Sequence, residues 1–469
     1  MNVVVIGTGY VGLNTAVMLS YLHHNVIGID VDENKVNILN KGIPTISENG
    51  LNKLLPFCRE NRNLRFSIDY RDVKLADVIF ITVGTPSNKD GSCNLSYIYS
   101  VVDRLIESFN ECNCNEKEIK DRVIVIKSTV PIGVNKEVEH KIKENVKIKE
   151  IRDKLYFASN PEFLREGSAL YDSFYPDRIV IGSENDRSFS IMERLYKDLI
   201  NREFNVGEFI DCNRNSREIR DKDKVEVVKT DILSAEMIKY ASNCFLAMKI
   251  SYANEISNLA RKLGANMIDI SRGMGLDKRI SPYFLNHGLG WGGSCFPKDS
   301  LALLSIAREN EVPLKLVQSS VDVNNHRIQD LIEIIKNSDR ENLESLENKR
   351  ICLFGITFKP NTDDVRNSVP VELARELIKR KASVVINDPC GLQNARSIYK
   401  NEGFEFEDDV YKAVENADIL IISTEWRDYY NLDYEKISNV MRNKVIFDAR
   451  NMLYNKRNEI EKYFKYLHF

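Results

Sequence analysis

Across 469 residues there is no apolar run of membrane-spanning length, no marked excess of either charge, and no second Cys or His pair to complete a metal finger. Each absence removes a class of function. A membrane-spanning helix needs roughly 20 consecutive apolar residues, so no membrane is expected as a partner. Against 69 acidic residues stand 66 basic ones, giving a formal net charge of −3, and no global positive field would draw the chain to nucleic acid. The pair Cys112 and Cys114 has no partner pair at zinc-site spacing, so no metal is expected. Nine cysteines, an odd number without framework spacing, fit free thiols in a reducing compartment. The opening "NVVVIGTGYVG" lacks the basic flank and apolar core of a secretion signal, so a cytoplasmic location is expected.

What is present points to small-molecule chemistry. A hydrophobic content of 43% over this length supports a large core divided among two or three domains. Short β-rich runs alternate with helical stretches in residues 1–200 ("NVVVIG", "NVIGID", "ADVIFITVG", "DRVIVIKST", "KLYFASN", "DRIVIGS"). A second series starts near residue 350 ("KRICLFGI", "ASVVIND", "ADILIIST", "NKVIFDAR"). Such alternation predicts α/β architecture: two Rossmann-like parallel-sheet domains. Between them Ser234 to Leu263 lacks Pro and Gly, and Ile238, Ala241, Phe245, Met248, Tyr252, Ile256, Leu259 and Leu263 recur at three- and four-residue steps. A long amphipathic helix joining the domains is predicted there. Just ahead of it, Arg217–Glu226 carries eight charged residues in ten and reads as an exposed loop. The expected boundaries are 1–229, 230–325 and 326–469.

The stretch "VVVIGTGYVG" sets Gly7, Gly9 and Gly12 in G-x-G-x-x-G register between a strand and a helix. Glycines there allow a tight turn and close approach of backbone amides, so a helix N-terminus can face a pyrophosphate. The next strand ends in Asp30, 18 residues past Gly12, where a carboxylate accepts both ribose hydroxyls. That residue favours NAD over NADP, since it repels a 2′-phosphate; Lys35, close by, tempers the repulsion.

A second concentration of loop chemistry lies at Gly288–Asp299, "GLGWGGSCFPKD". A thiol attacks only as thiolate, and Lys298 with a glycine-rich turn would lower the pKa of Cys295. Gly290, Gly292 and Gly293 would let amides and a bulky substrate approach the sulfur. If Pro297 opens a helix, Asp299 lies one turn beyond Cys295 and would orient a water or a lysine. Read from residues alone, Cys295 is either this nucleophile or a small hydrophobe packed in a core.

With these residues in hand, the chain resembles the UDP-glucose/GDP-mannose dehydrogenase family over nearly its whole length. The resemblance rests on "GTGYVG", "VGTP" (Val83–Pro86), "KSTVPIG" (Lys127–Gly133), "SNPEFLREGSA" (Ser159–Ala169), "AEMIKYASNCFLAMKISYANE" (Ala235–Glu255), "GWGGSCFPKD" and "GITFKPNTDDVRNS" (Gly355–Ser368), with "STEWRDY" and "FDARN" as later echoes. It implies NAD-dependent four-electron oxidation of a nucleotide sugar through a cysteine thiohemiacetal and thioester. Cys295 would be the nucleophile, and Lys239 and Asn243, one turn apart on the long helix, would polarise the reacting oxygen. Asp299 would work with that lysine and a water, Thr129 would lie beside the water, and Glu162 would be the base of thioester hydrolysis. Val11, Thr85, Thr129, Glu166 and Lys298 would join Gly7, Gly9, Gly12, Asp30 and Lys35 around the cofactor. Phe163, Leu164, Phe284, Gly292, Lys359 and Arg366 would line the substrate site with Lys239 and Asn243. Arg279 would reach across a homodimer interface into the partner's pocket. Without the resemblance, Lys239 and Asn243 would be read as a solvated helix face and the glutamates of "PEFLREG" as exposed or capping residues.

Two features depart from the family pattern: the charged segment is longer, and Trp291 stands where Tyr is common. The form "PEFLREG" resembles the branch acting on UDP-glucose. The alternatives are oxidation of a UDP-N-acetylhexosamine or GDP-mannose, a catalytically silent binder of NAD or a nucleotide sugar, and a two-electron hydroxy-acid dehydrogenase. The last two have no use for Cys295.

Overall fold

The structure, a computed structural model, describes residues 1–111, 119–210, 224–338 and 345–469. Cys112, Cys114, Cys212 and residues 217–223 of the charged segment lie outside these. The chain divides into two units, Met1–Ala241 and Ser242–Phe469.

In the first unit the β-branched runs form β1 (Asn2–Ile6), β2 (Asn25–Ile29), β3 (Leu64–Ser67), β4 (Val78–Ile81), β5 (Arg122–Ile126), β6 (Leu155–Ser159), β7 (Arg178–Gly182) and β8 (Glu226–Thr230). Their order is β3-β2-β1-β4-β5-β6-β7-β8. The first six strands run parallel, whereas β7 meets β6 antiparallel and β8 follows β7 in parallel. Alternation along each strand feeds two cores. Val3, Val5, Val78, Phe80, Val123 and Val125 pack on one face, and Val4, Ile6, Ile79, Ile81, Ile124 and Ile126 on the other. Helices cover both faces, which is why these strands read as unbroken apolar runs. The end of the charged segment does not stay a loop: Val225 is buried and Glu226 opens β8. Val225, Val227 and Val228 supply the β-branched residues that the density of charge obscured.

In the second unit β9 (Arg350–Phe354), β10 (Ser383–Asn387), β11 (Glu405–Phe406), β12 (Ile419–Ile422), β13 (Val445–Asp448) and β14 (Lys465–His468) form a wholly parallel sheet in the order β11-β10-β9-β12-β13-β14. This repeats the order of the first six strands of the other unit. Both are doubly wound sheets, whose ligand crevice opens where the strand order reverses, beside β1 and β4 in the first unit.

A helix of 32 residues, Ile232–Leu263, connects the two sheets. Its apolar stripe is largely open and its buried face carries polar side chains. Phe245 (57% exposed), Tyr252 (48%), Leu259 (56%) and Leu263 (73%) lie open, whereas Glu236, Lys239, Asn243, Ser251, Asn254 and Ser257 are buried. Apolar periodicity marks a face that avoids water, but it does not say which surface covers that face. No described helix is long and apolar enough to cross a membrane.

Candidate active site

The first turn of the N-terminal sheet is built by three glycines doing different work. Gly7 takes φ +93° and donates its N–H to Ile29 O at 2.7 Å. A Cβ on Gly12 would stand 1.8 Å from Gly7 O, so helix and strand approach too closely for a side chain. Gly9 caps the helix Tyr10–Tyr21 without any side-chain bond, and a Cβ there would meet open space. The first amides of that helix therefore face open space of the kind a pyrophosphate fills. Val11, in the first turn, is half-buried.

Asp30 departs from the simple ribose-acceptor picture. Its Oδ2 accepts Thr8 N (2.9 Å), Thr8 Oγ1 (2.6 Å) and Lys35 Nζ (2.8 Å), and among the described residues Oδ1 accepts only Asp32 N, at 3.2 Å. Burial works against ionisation, yet Lys35 and Thr8 outweigh it and hold the carboxyl down at about 2. It is thus an ionised acceptor throughout the physiological range.

A buried charge cluster occupies the end of β5 and the loop after β6. Glu162 Oε1 accepts Lys239 Nζ at 2.8 Å, with both side chains under 10% exposed, and Oε2 accepts Leu164 N at 2.5 Å. Burial alone would raise this carboxyl; the charges of Lys239 and Lys127 and the bond from Leu164 reverse the shift and lower it. Phe163 lies 5.5 Å from Lys239 Nζ at its ring centroid. Thr85 Oγ1 donates to Thr129 O at 2.8 Å, pinning the turn after β4 to the one after β5. Glu166 is half-buried in the same loop. The loop is held by residues that the sequence reading left unassigned. Glu48 accepts Gly167 N (2.7 Å) and Ala169 N (3.0 Å), and Asp172 takes both Arg165 N and its guanidinium. Nothing in their local sequence marks such acids, because their partners are 119 and 121 residues away for Glu48.

The second unit carries the cysteine. Cys295 is half-buried and caps the helix Phe296–Glu309, with Pro297 in its first turn. Asp299 follows one turn on, 1% exposed, and its N–H donates to Cys295 O at 2.9 Å. Its Oδ2 accepts Asn243 Nδ2 at 2.6 Å and its Oδ1 pairs with Lys298 Nζ at 2.6 Å, so the lysine that Asp299 orients within this unit is Lys298. Phe284, at φ +64°, brings its ring to 6.2 Å from that of Phe296. The glycines of this loop are crowded where a side chain would stand. A Cβ on Gly290 would strike Asn324 Oδ1 at 2.5 Å, on Gly292 Asn367 O at 2.4 Å, and on Gly293 the Phe358 ring at 2.6 Å. Gly292 and Gly293 pack the cysteine turn against the loop that carries Lys359 and Arg366, and Gly290 packs it against the helix Lys315–Lys336. Trp291 is buried with its indole N–H on Ser251 Oγ at 2.9 Å. Arg366 points outward at 56% exposure on Asp364, and Arg279, 90% exposed, pairs with Asp277 at 2.6 Å.

Comparison with known proteins decides the family. The UDP-glucose/GDP-mannose dehydrogenase family matches through its NAD binding domain at residues 1–200, its central domain at 233–326 and its UDP binding domain at 352–455. A UDP-glucose 6-dehydrogenase of Rickettsia bellii is 40% identical over 98% of this chain and 97% of its own. The chain belongs to the UDP-glucose/GDP-mannose dehydrogenase family. A UDP-glucose 6-dehydrogenase of Bacillus subtilis is 38% identical over 96% of this chain and 93% of its own. A solved UDP-glucose dehydrogenase from the archaeon Pyrobaculum islandicum superposes with a TM-score of 0.84 at 33% identity, covering all of this chain and 96% of that one. Like its family, the chain is an NAD-dependent oxidoreductase acting on the CH–OH group of a nucleotide sugar. The glycine turn and the ionised Asp30 carboxylate fit NAD at the first turn.

Proposed function

We propose that this chain oxidises UDP-glucose to UDP-glucuronate in two steps at one carbon, with Cys295 as covalent nucleophile. The observation that carries the reading is the half-buried Cys295 capping the helix whose Asp299 is bonded to Asn243. Asn243 lies one helical turn from Lys239, the partner of the ionised Glu162. The UDP-glucose relatives, aligned over nearly their full lengths, support the choice of sugar.

NAD, when bound, supplies the acceptor for both electron pairs, one equivalent per oxidation. Lys239 and Asn243 donate hydrogen bonds to the reacting oxygen as negative charge builds on it. Asp299 accepts the alcohol proton through Lys239 or a water, and the Cys295 sulfur adds to the aldehyde carbon as a thiohemiacetal. After the second oxidation the sulfur holds a thioester. Glu162, beside Thr129, removes a proton from the water that attacks it; the carboxylate product leaves and the thiolate returns. Lys359 and Arg366 hold the uridine diphosphate.

The exposed stripe Phe245, Tyr252, Leu259 and Leu263 supports a homodimer formed on the long helix, with Arg279 reaching the partner's substrate pocket. Residues 1–229, 230–325 and 326–469 would then bind NAD, pair the subunits and bind the UDP-sugar.

The test is product analysis with NAD and a panel of nucleotide sugars, together with Cys295→Ser and Cys295→Ala. UDP-glucuronate with two NADH per UDP-glucose is expected. Cys295→Ser should accumulate an adduct of UDP-glucuronyl mass, because an ester hydrolyses more slowly than a thioester. Near-normal UDP-glucuronate formation by Cys295→Ala would refute the covalent route, and faster turnover of another nucleotide sugar would refute the substrate.

A further inference from the structure

A second lysine sits beside the Glu162–Lys239 pair. Lys127, at the end of β5, donates from Nζ to Asn160 Oδ1 at 3.1 Å, its one hydrogen-bond acceptor among the described residues. The same oxygen accepts Tyr196 Oη at 2.8 Å, while Asn160 Nδ2 donates to Val180 O at 2.7 Å and Asn160 N to Ile126 O at 3.0 Å. Asn160 is therefore fixed from three sides, and Glu162 follows two residues later. Lys127 and Glu162 line one cavity of about 60 Å³, together with Asp172, Asp177 and Arg178.

Lys127 is half-buried, and an ammonium group that loses hydration for a single neutral acceptor contributes little, so an apolar side chain there would be about as stable. Burial drives Lys127 down to about 8, against the pull of Glu162 and with the push of Lys239. The charges facing it are Glu162 and Lys239, with Asp172, Asp177 and Arg178 across the cavity. Asp172 is itself taken up by Arg165 at 2.6 Å, and Arg178 lies over the Phe163 ring at 3.7 Å. When Lys239 turns to the substrate oxygen, Glu162 loses its direct ion-pair partner. A lone buried carboxylate would then take up a proton and cease to be a base.

We propose that Lys127 is a positioning residue that holds the Asn160–Glu162 segment and supplies the positive charge keeping Glu162 ionised while Lys239 is engaged with substrate. The inference rests on Glu162 acting as the base of thioester hydrolysis. It gives Lys127 a duty that neither the nucleophile nor the oxygen-binding pair can perform.

The experiment compares Lys127→Met, Lys127→Gln and Lys127→Arg with the parent full-length enzyme, using kcat against pH, KM, and intact-protein mass during turnover. Lys127→Met should lower kcat at neutral pH by about 10- to 100-fold with KM for UDP-glucose changed less than about threefold, since the loss falls on a step after binding. Its acid limb should move up by about one pH unit, and acyl-enzyme should accumulate. Lys127→Gln, which keeps the bond to Asn160 without the charge, should show the same displaced limb and serves if Lys127→Met does not fold. Lys127→Arg should restore the parent acid limb. In the parent enzyme the charge is present below about 8 and lost above it, so kcat should decline on the alkaline side, and Lys127→Arg should push that decline higher. Uncharged variants that are slower but keep the parent pH profile would reduce Lys127 to a structural role and overturn the proposal. Glu162→Gln separates the two claims. If it hydrolyses acyl-enzyme normally, the reading of Glu162 fails; if it stalls while the Lys127 profiles stay unmoved, this inference alone fails.

Discussion

The two sheets make the same first turn and use it for opposite ends. After β1, Gly7 at φ +93° bonds Ile29 O, and Thr82 Oγ1 closes on Ile6 O and Gly7 O. After β9, Gly355 at φ +104° bonds Asn387 O, and Ser423 Oγ closes on Phe354 O and Gly355 O. Each sheet also places an aspartate at the end of its second strand, Asp30 and Asp388. There the likeness ends. In the N-terminal turn the helix begins at Tyr10, and Asp30 keeps one oxygen nearly open. In the C-terminal turn a loop from Gly355 to Ser368 intervenes before the helix Val369–Lys379. Asp388 is 4% exposed and fully taken up by Ile356 N, Thr357 N, Thr357 Oγ1, Trp426 Nε1, Cys390 N and Gly391 N. One turn is left open for a ligand; the other is filled by its own loop, which then braces the cysteine turn. An acid at the end of a second strand is therefore no sign of a dinucleotide unless the glycines and a nearby helix start accompany it.

The sharpest break of this comparison is Asp388→Ala. Orphaning that many buried donors should cost about 4 kcal/mol of stability, read in denaturant unfolding of the full chain by Trp fluorescence, while NAD affinity of the folded enzyme is unchanged. A loss below about 1 kcal/mol would show that Asp388 is no keystone.

Next in size is Gly12→Ala. The new Cβ would collide with the carbonyl of Gly7, a backbone atom that cannot yield, so about 3 kcal/mol should be lost and NAD binding nearly abolished. Isothermal titration with NAD, beside a melting curve, checks both halves.

Asp30→Ala should reverse the pattern seen at Asp388. NAD affinity is expected to fall about 10- to 100-fold, with discrimination against NADP lessened, for a smaller cost in stability. Unchanged cofactor preference would contradict the assignment of the first turn.

The smallest effect concerns acid. The folded-state carboxyl of Asp30, at about 2, lies below its ordinary 3.8, so its contribution is complete above about pH 4 and lost as pH falls toward 2. The parent should lose about 1 kcal/mol more than Asp30→Ala over that window, after allowance for partial exposure. Equal acid slopes in the two proteins would refute it.

Much of this was legible in the sequence because it depends on local pattern. Gly7, Gly9, Gly12 and Asp30 announce a turn through spacing, and Pro297 with Asp299 announces the helix behind Cys295. The failures have a common physical origin. Periodicity located the apolar stripe of the long helix but not what covers it, because a sequence does not record that polar partners elsewhere claim the opposite face. Lys127, Glu48 and Asp388 went unassigned because their meaning lies in donors and acceptors brought from far along the chain. The packing of Gly292 and Gly293 was hidden for the same reason: the Asn367 carbonyl and the Phe358 ring crowd them.

Glu236, in the second turn of the long helix, accepts Gly133 N (2.6 Å), Asn135 N (3.0 Å) and Asn135 Nδ2 (2.7 Å), capping the helix Val134–Asn145 from outside. Burial raises its carboxyl against those bonds, so parting them would strand either a charge or three donors away from water. Mechanically, this welds the start of the long helix to the turn that carries Thr129. The stretch up to Lys239 cannot bend or slide without dragging Thr129 along, and any flexing of the helix has to take place farther toward Leu263. Lys239 thus rides on the stiff end of the lever.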